Sequence, residues 1–190
     1  MHSSIENIPL NMASEGLDFR RAVSDDVDFI ATLVNSAYRG ESSRAGWTTE
    51  ADILDGQRTD AHEISLLIEK NDSLILLCVC NEHIVGSVHL ERLDALTTYM
   101  GMFVIMPELQ GQGLGNLLMN TAENRARAEW GSQRMQIQVI LLRKELISYY
   151  ERRGYRRTGE TLPFPVNEPK FGLPKIEGLM FEIFEKILGE

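Results

Sequence analysis

Cysteine is almost missing from this sequence. The two present, Cys78 and Cys80, lie in one apolar run. Neighbours that close on a strand are poorly placed to bridge each other, and no third thiol exists to pair with either. A disulfide-stapled secreted fold is therefore excluded, and a reducing, cytoplasmic setting is expected. Two thiolates do not complete a zinc site, and His2, His62, His83 and His89 lack metal-ligand spacing, so no metal is expected. Proline is scarce too. Of its six copies, four fall between Leu162 and Gly178, which marks that stretch as a stiff loop. No apolar run is long enough to cross a bilayer, so no membrane partner is expected. The opening MHSSIENIPLNMASEG lacks the basic start and apolar centre of a secretory signal, and residues 1–16 read as a flexible leader. Positive charge is in deficit, with 19 Lys and Arg against 28 Asp and Glu. The resulting −9 argues against nucleic acid as the main partner and leans toward a cationic one.

What is present fits one domain with a real core over residues 17–190. Leu17 to Val23 alternates apolar and polar residues as a strand does. Ser24 is placed to cap a helix whose apolar face carries Val27, Ile30, Ala31, Val34 and Tyr38. A polar segment, Arg39 to Asp60, follows, with one short helix near Glu50 to Leu54. Asp60, with Glu63 three residues later, opens a helix to about Lys70. Strands are predicted at Leu74–Cys80, Ile84–Leu93, Thr97–Met106, Met135–Ile140, from Tyr155, and at Leu179–Lys186. Helices are predicted at Leu114–Trp130 and Arg143–Arg153, the second closed by Gly154. The order β-α-α-β-β-β-α-β-α-β-β describes an α/β fold. Its mixed, mostly antiparallel sheet is flanked by helices, with βαβ crossings in the second half.

Glycine concentrates at one of those crossings. PELQGQGLGN, Pro107 to Asn116, joins a strand to a helix, the place where open α/β sheets bind ligands. Free N–H groups and a partial positive charge at the helix start suit a phosphate. A P-loop requires Gly-Lys-Ser/Thr, but Asn116 and Leu117 follow Gly115. A dinucleotide fingerprint requires a third glycine where Asn116 stands. Q-x-x-G-x-G is matched, by Gln110, Gly113 and Gly115.

That last pattern resembles the pyrophosphate loop of the GNAT superfamily of N-acetyltransferases. FVIMPELQGQGLG is similar to the family's strand, proline and Gln/Arg segment. YYERRGY, Tyr149 to Tyr155, is similar to its aromatic-Tyr-x-x-x-Gly-aromatic segment. The two lie one helix and one strand apart, as the family requires, and the likeness runs from about Leu17 to Lys186. It implies a GNAT-like single domain that uses acetyl-CoA as co-substrate. The pyrophosphate would rest on backbone N–H groups of Gly111, Gln112, Gly113, Leu114, Gly115 and Asn116. The pantetheine arm would lie along Phe103, Val104 and Ile105, with an N–H near Ile105 facing the developing oxyanion. Tyr150 matches the family's general acid, whereas Tyr149 would point elsewhere on the helix. Gly101 suggests either a bulge that splays its strand or a packing need. Arg143 stands where the family often has Asn, and either contacts CoA or is a solvated helix-start residue. The strand positions that carry a glutamate base in some members look like Tyr99 and Gln138, neither a base at neutral pH. A water, Glu50 or His89 is left for that role, or the amine arrives neutral.

The acceptor would be framed by Tyr38 to Asp60 and Leu162 to Gly178, with Trp47, Glu50 and Phe164 as candidate contacts. Glu50 either meets an incoming amine or merely favours a first helical turn. The reading favoured is acetyl transfer to an amine of a small molecule by direct attack, with a homodimer as the assembly considered. The alternatives are a non-catalytic acyl-CoA-binding or sensory module, and an acetyltransferase acting on protein amino groups.

Overall fold

In chain order the secondary structure is β1 (Leu17–Arg21), α1 (Val27–Tyr38), α2 (Gly40–Ser43), β2 (Leu54–Asp55), α3 (Ala61–Glu69), β3 (Ser73–Cys80), β4 (His83–Arg92) and β5 (Thr97–Ile105), followed by α4 (Leu114–Trp130), β6 (Arg134–Ile140), α5 (Lys144–Glu151), β7 (Arg156–Pro163), β8 (Leu173–Pro174) and β9 (Met180–Ile187). This computed structural model describes residues 16–166, 168 and 172–189. The expected leader, apart from Gly16, lies outside the described residues, as does Phe171 of the proline-rich loop.

Seven strands form one sheet in the order β1-β3-β4-β5-β6-β9-β7. Every neighbouring pair is antiparallel except β5 and β6. The central strands are buried on both faces, which is why β3 reads as a continuous apolar run rather than an alternation. Leu74, Leu76 and Cys78 face a core built with Leu118, Met119 and Ala122 of α4 and Tyr150 of α5. Ile75 and Leu77 face the opposite core, built with Ile30 and Val34 of α1 and Ile64 of α3. Both cysteines are buried, and burial raises the Cys78 thiol to about 12, so it behaves as a small hydrophobe.

Local patterns and tertiary burial disagree in three places. Ser24 does not cap α1. Asp26 Oδ2 takes both the Val23 N–H at 2.8 Å and Arg20 Nη1 at 2.7 Å, while Oδ1 takes Arg20 Nη2 at 2.8 Å, since each carboxylate oxygen can accept more than one bond. The expected helix after Glu50 is a single turn, with Ile53 and Leu54 N–H donating to the Glu50 carbonyl at 2.9 Å. The chain then extends into β2, which pairs with β8, because Ile53 and Leu54 are buried against Ile140, Phe164 and Leu179. Asp60 caps α3 by accepting the Glu63 N–H at 2.8 Å, while the Glu63 carboxylate takes the Thr59 hydroxyl instead of closing a capping box.

The feature that positions the site is the seam between β5 and β6. Their parallel pairing covers only Thr97–Tyr99 against Arg134–Gln136, and both strands continue beyond it without partnering each other. On its other edge β5 carries one residue more than β4, the register shifting between Ser87 and His89. The left-handed residue there is Met102, with φ +43°, not Gly101. Gly101 serves packing: a Cβ on it would lie 2.6 Å from the Tyr99 ring.

Candidate active site

The glycine stretch leaves β5 through a short 3-10 turn, Pro107–Leu109, and enters α4 at Gly113. Gly111 and Gly113 have φ of +79° and +88°, a conformation that costs a side-chain-bearing residue energy and glycine almost none. No atom lies within 4 Å of where a Cβ on either would stand. The Asn116 N–H is spent on the Gly113 carbonyl at 3.0 Å. Those of Gly111, Gln112, Gly113, Leu114 and Gly115 have no acceptor among the described residues. Five donors beside a helix start suit an anion. The Gln110 side chain, by contrast, braces the loop. Its amide donates to the Ile105 carbonyl at 3.0 Å and accepts the Trp47 N–H at 3.0 Å.

Ile105 itself faces the open seam. Met106 N–H donates to Val85, and Gly86 stands opposite Ile105. In an antiparallel ladder that arrangement turns Ile105's own N–H and carbonyl away from β4. Gln110 takes the carbonyl, and the N–H points into the gap between β5 and β6. The Phe103 carbonyl likewise faces away from β4 and accepts the Tyr38 hydroxyl at 3.1 Å.

Two cavities meet at this gap. One, of about 390 Å³, is lined by Phe103, Val104, Ile105, the glycine loop, Tyr149 and Arg152–Arg153. The other, of about 450 Å³, is lined by Glu50, Arg58, Tyr99, Gln138, Phe164 and Phe181, among others. Tyr38, Phe103, Arg143, Leu146 and Tyr150 line both and form the common wall. Tyr150 is buried and its hydroxyl makes no hydrogen bond among the described residues. Burial, reinforced by Tyr38 and Tyr149, pushes its phenol well above the usual 10, so it stays protonated. Tyr149 does not point elsewhere. It lines the first cavity, its hydroxyl 3.1 Å from where a Gly115 Cβ would stand, with the Arg153 guanidinium 3.4 Å from its ring centre.

Four sequence expectations change here. Trp47 lies in the cavity with the glycine loop, not in the other, and stacks on Tyr149 at 5.3 Å between ring centres. The segment that carries it folds over the loop because Gln110 holds its backbone. Glu50 is neither a first-turn helix residue nor a free carboxylate. It is buried between Arg39 and Arg143, one guanidinium on each oxygen, the Arg143 contact being 2.7 Å. Burial alone would raise its pKa. The Arg143 and Arg39 charges outweigh burial and hold the carboxyl below the ordinary range. Arg143 is not solvated either: it is buried, with a second bond to Thr48 at 2.8 Å. His89 sits in neither cavity. It is packed on Ser73 at 3.0 Å, and burial lowers its pKa to about 4.

Residues 29–155 match the acetyltransferase (GNAT) family. The chain belongs to that family.

No curated protein sequence matches it. Among solved structures, the fold is similar to spermidine N-acetyltransferase from Vibrio cholerae in complex with CoA and spermine. That match has 15% identity and a TM-score of 0.67, over 92% of this chain and 97% of that one. It is similar also to yncA from Salmonella typhimurium with its cofactor acetyl-CoA, at 18% identity and TM-score 0.66, over 93% and 96%. A third likeness is to an acetyltransferase from Streptococcus agalactiae, at 19% identity and TM-score 0.63, over 92% and 100%. In this GNAT chain the glycine loop, the splayed strands and the tyrosine helix are brought together as the sequence motifs imply. Tyr99 and Gln138, which stand where some family members carry a glutamate base, both line the second cavity. Sequence reasoning framed the acceptor with Tyr38 to Asp60 but did not single out Tyr38, Arg39 and Arg58 within that span as cavity residues. All three bound the polar segment after α1, but nothing in their local pattern separates them from core or surface residues.

Proposed function

We propose that the protein is an N-acetyltransferase that moves the acetyl group of acetyl-CoA to an amine of a small molecule, and that residues 17–190 are its catalytic unit. The observation that carries this reading is the common wall. A loop of unpaired N–H groups leads to a gap between strands, and on its far side lies a second cavity with Tyr150 between the two.

The residues of the first cavity fit acetyl-CoA. The N–H groups of Gly111–Gly115, with Arg152 and Arg153 nearby, suit the pyrophosphate. The edge of β5 that faces the gap along Phe103–Ile105, unpaired with β6, suits the amides of pantetheine. Acetyl-CoA supplies an acetyl group activated as a thioester. The Ile105 N–H is a fixed donor for the acetyl oxygen as it gains charge, a contribution of roughly 2.7–4 kcal/mol for one such donor. The protonated Tyr150 hydroxyl is the donor for the departing sulfur. The attacking nitrogen forms the new C–N bond as the C–S bond breaks. It loses one proton and the sulfur gains one. Glu50 cannot accept that proton without abandoning two arginines, so the amine reacts in its neutral form and sheds its proton to water.

Release of free CoA thiol across a panel of small amines tests this. Turnover with at least one amine above the hydrolysis rate is expected. Tight acetyl-CoA binding with hydrolysis alone across the panel would reject it.

A further inference from the structure

The second cavity carries the wrong charge for a polycation. The chain as a whole is at −9, yet three guanidinium groups line this cavity, those of Arg39, Arg58 and Arg143, against two carboxylates, Glu50 and Glu168. Glu50 is already neutralised by Arg39 and Arg143, one on each oxygen, so it offers a ligand's ammonium no uncompensated charge. Arg58 is different. Its backbone is pinned, the N–H donating to the Asn35 amide oxygen at 2.6 Å, and Asn35 in turn bonds the Ala31 and Thr59 carbonyls. Its guanidinium makes no hydrogen bond or ion pair among the described residues, and lies 5.8 Å from the ring centre of Tyr38. Tyr38 belongs to the wall where the two cavities meet and bonds to Phe103. The Arg58 charge adds to the field on Glu50, but no carboxylate among the described residues bonds it. A positioned, half-buried guanidinium one aromatic ring from the reaction gap is a receptor for an anionic group.

We propose that the acceptor is an amine that also bears a carboxylate or an equivalent oxyanion, and that Arg58 binds this group. The inference rests on the acetyltransferase reading and assigns its substrate class. Pairing with Arg58 holds the acceptor by its acid end, and the wall at Tyr38 lies within the reach of a short amino acid. Phe164, Phe181 and Ile137 leave apolar room for a side chain. A polyamine would set a second ammonium in a cavity where three guanidinium groups already outnumber the two carboxylates.

The test measures CoA thiol release with L-amino acids, each beside its own carboxamide, and with spermidine, all rates expressed per neutral amine. In the wild type the carboxylate member of at least one pair should exceed its amide in kcat/KM by roughly tenfold to a hundredfold, the value of one charge-assisted contact. Arg58→Gln should bring that ratio near one, and Arg58→Lys should restore part of it, while acetyl-CoA affinity is retained in both. Amides or spermidine matching the acids, or a ratio that survives Arg58→Gln, would overturn the assignment. If acetyl-CoA binds but no amine turns over, the acetyltransferase reading fails separately. Calorimetric titration of the CoA-loaded protein with N-acetyl amino acids and their amides then decides the charge preference. Selective binding of the acids, lost in Arg58→Gln, supports it, and equal or absent binding of both overturns it.

Discussion

Arg143 Nη1 lies 2.7 Å from Glu50 Oε1, joining two residues 93 positions apart. The pair ties the segment after α1 to the start of the helix that carries Tyr149 and Tyr150. Arg39 completes a buried triad on the same carboxylate.

Glu50→Gln should therefore act first on stability. Two buried guanidinium groups would lose their counterion, a change worth about 3–5 kcal/mol in comparable cases. The folded Glu50 carboxyl has a depressed pKa. Its contribution is present above the ordinary carboxylate value of 4.5 and drains away as pH falls below it. Thermal melts of both proteins between pH 7 and pH 4 check this. The variant should melt lower at pH 7 and lose less on acidification. Equal melting temperatures at pH 7 would show that the triad does not hold the fold.

Tyr150→Phe should lower kcat by roughly 10²–10⁴-fold, the range of an acid–base group, with acetyl-CoA affinity kept because the ring remains. Tyr149→Ala should do the reverse. Losing the Trp47 stack and the Arg153 contact weakens acetyl-CoA binding, with a smaller effect on kcat. Burial keeps the Tyr150 phenol well above 10, so its ionisation should add no basic limb to the rate profile below pH 10. With Glu50 committed, kcat/KM should instead rise with pH in step with the acceptor's own ammonium. Steady-state kinetics on the two variants, with pH profiles for two amines of different pKa, read all of this. Profiles that coincide for both amines would point to a base on the protein.

Gly113→Asp should abolish acetyl-CoA binding. The φ of +88° strains any side chain, and this one would place negative charge among the loop N–H groups. Calorimetry with acetyl-CoA checks it, and an unchanged affinity would detach the loop from the cofactor.

His89 gives a separate pH signature. Its pKa falls from 6.5 to about 4 because burial penalises the charged ring. The unfolded chain then binds more protons than the native one between those values, and stability should fall as pH drops from 6.5 to 4, by up to about 3 kcal/mol. Glu91, 4.0 Å away, moderates the penalty. In His89→Gln, chemical denaturation at pH 7 and pH 5 should lose that part of the slope. A slope identical to wild type would mean the imidazole is hydrated in the native state.

The sequence by itself determined the backbone events. Glycine spacing placed the left-handed residues Gly111 and Gly113 at a strand-to-helix turn, because only glycine tolerates that conformation freely. Apolar periodicity gave α4 its bounds and β3 its double-sided burial, and the spacing of Tyr150 to Gly154 put a tyrosine on the central helix. These are local properties, each set within a few residues. Partnerships were decided only by tertiary structure. Trp47 reads like an acceptor wall until Gln110 draws it over the glycine loop. Glu50 reads like a base until Arg39 and Arg143 close on it. The bulge falls at Met102 because the pairing of β5 with β4 fixes it, while the neighbouring glycine makes room for Tyr99. The deficit of positive charge along the chain hid the arginines that the fold gathers around one cavity. Charge, unlike periodicity, carries no trace in sequence of which distant group it will face.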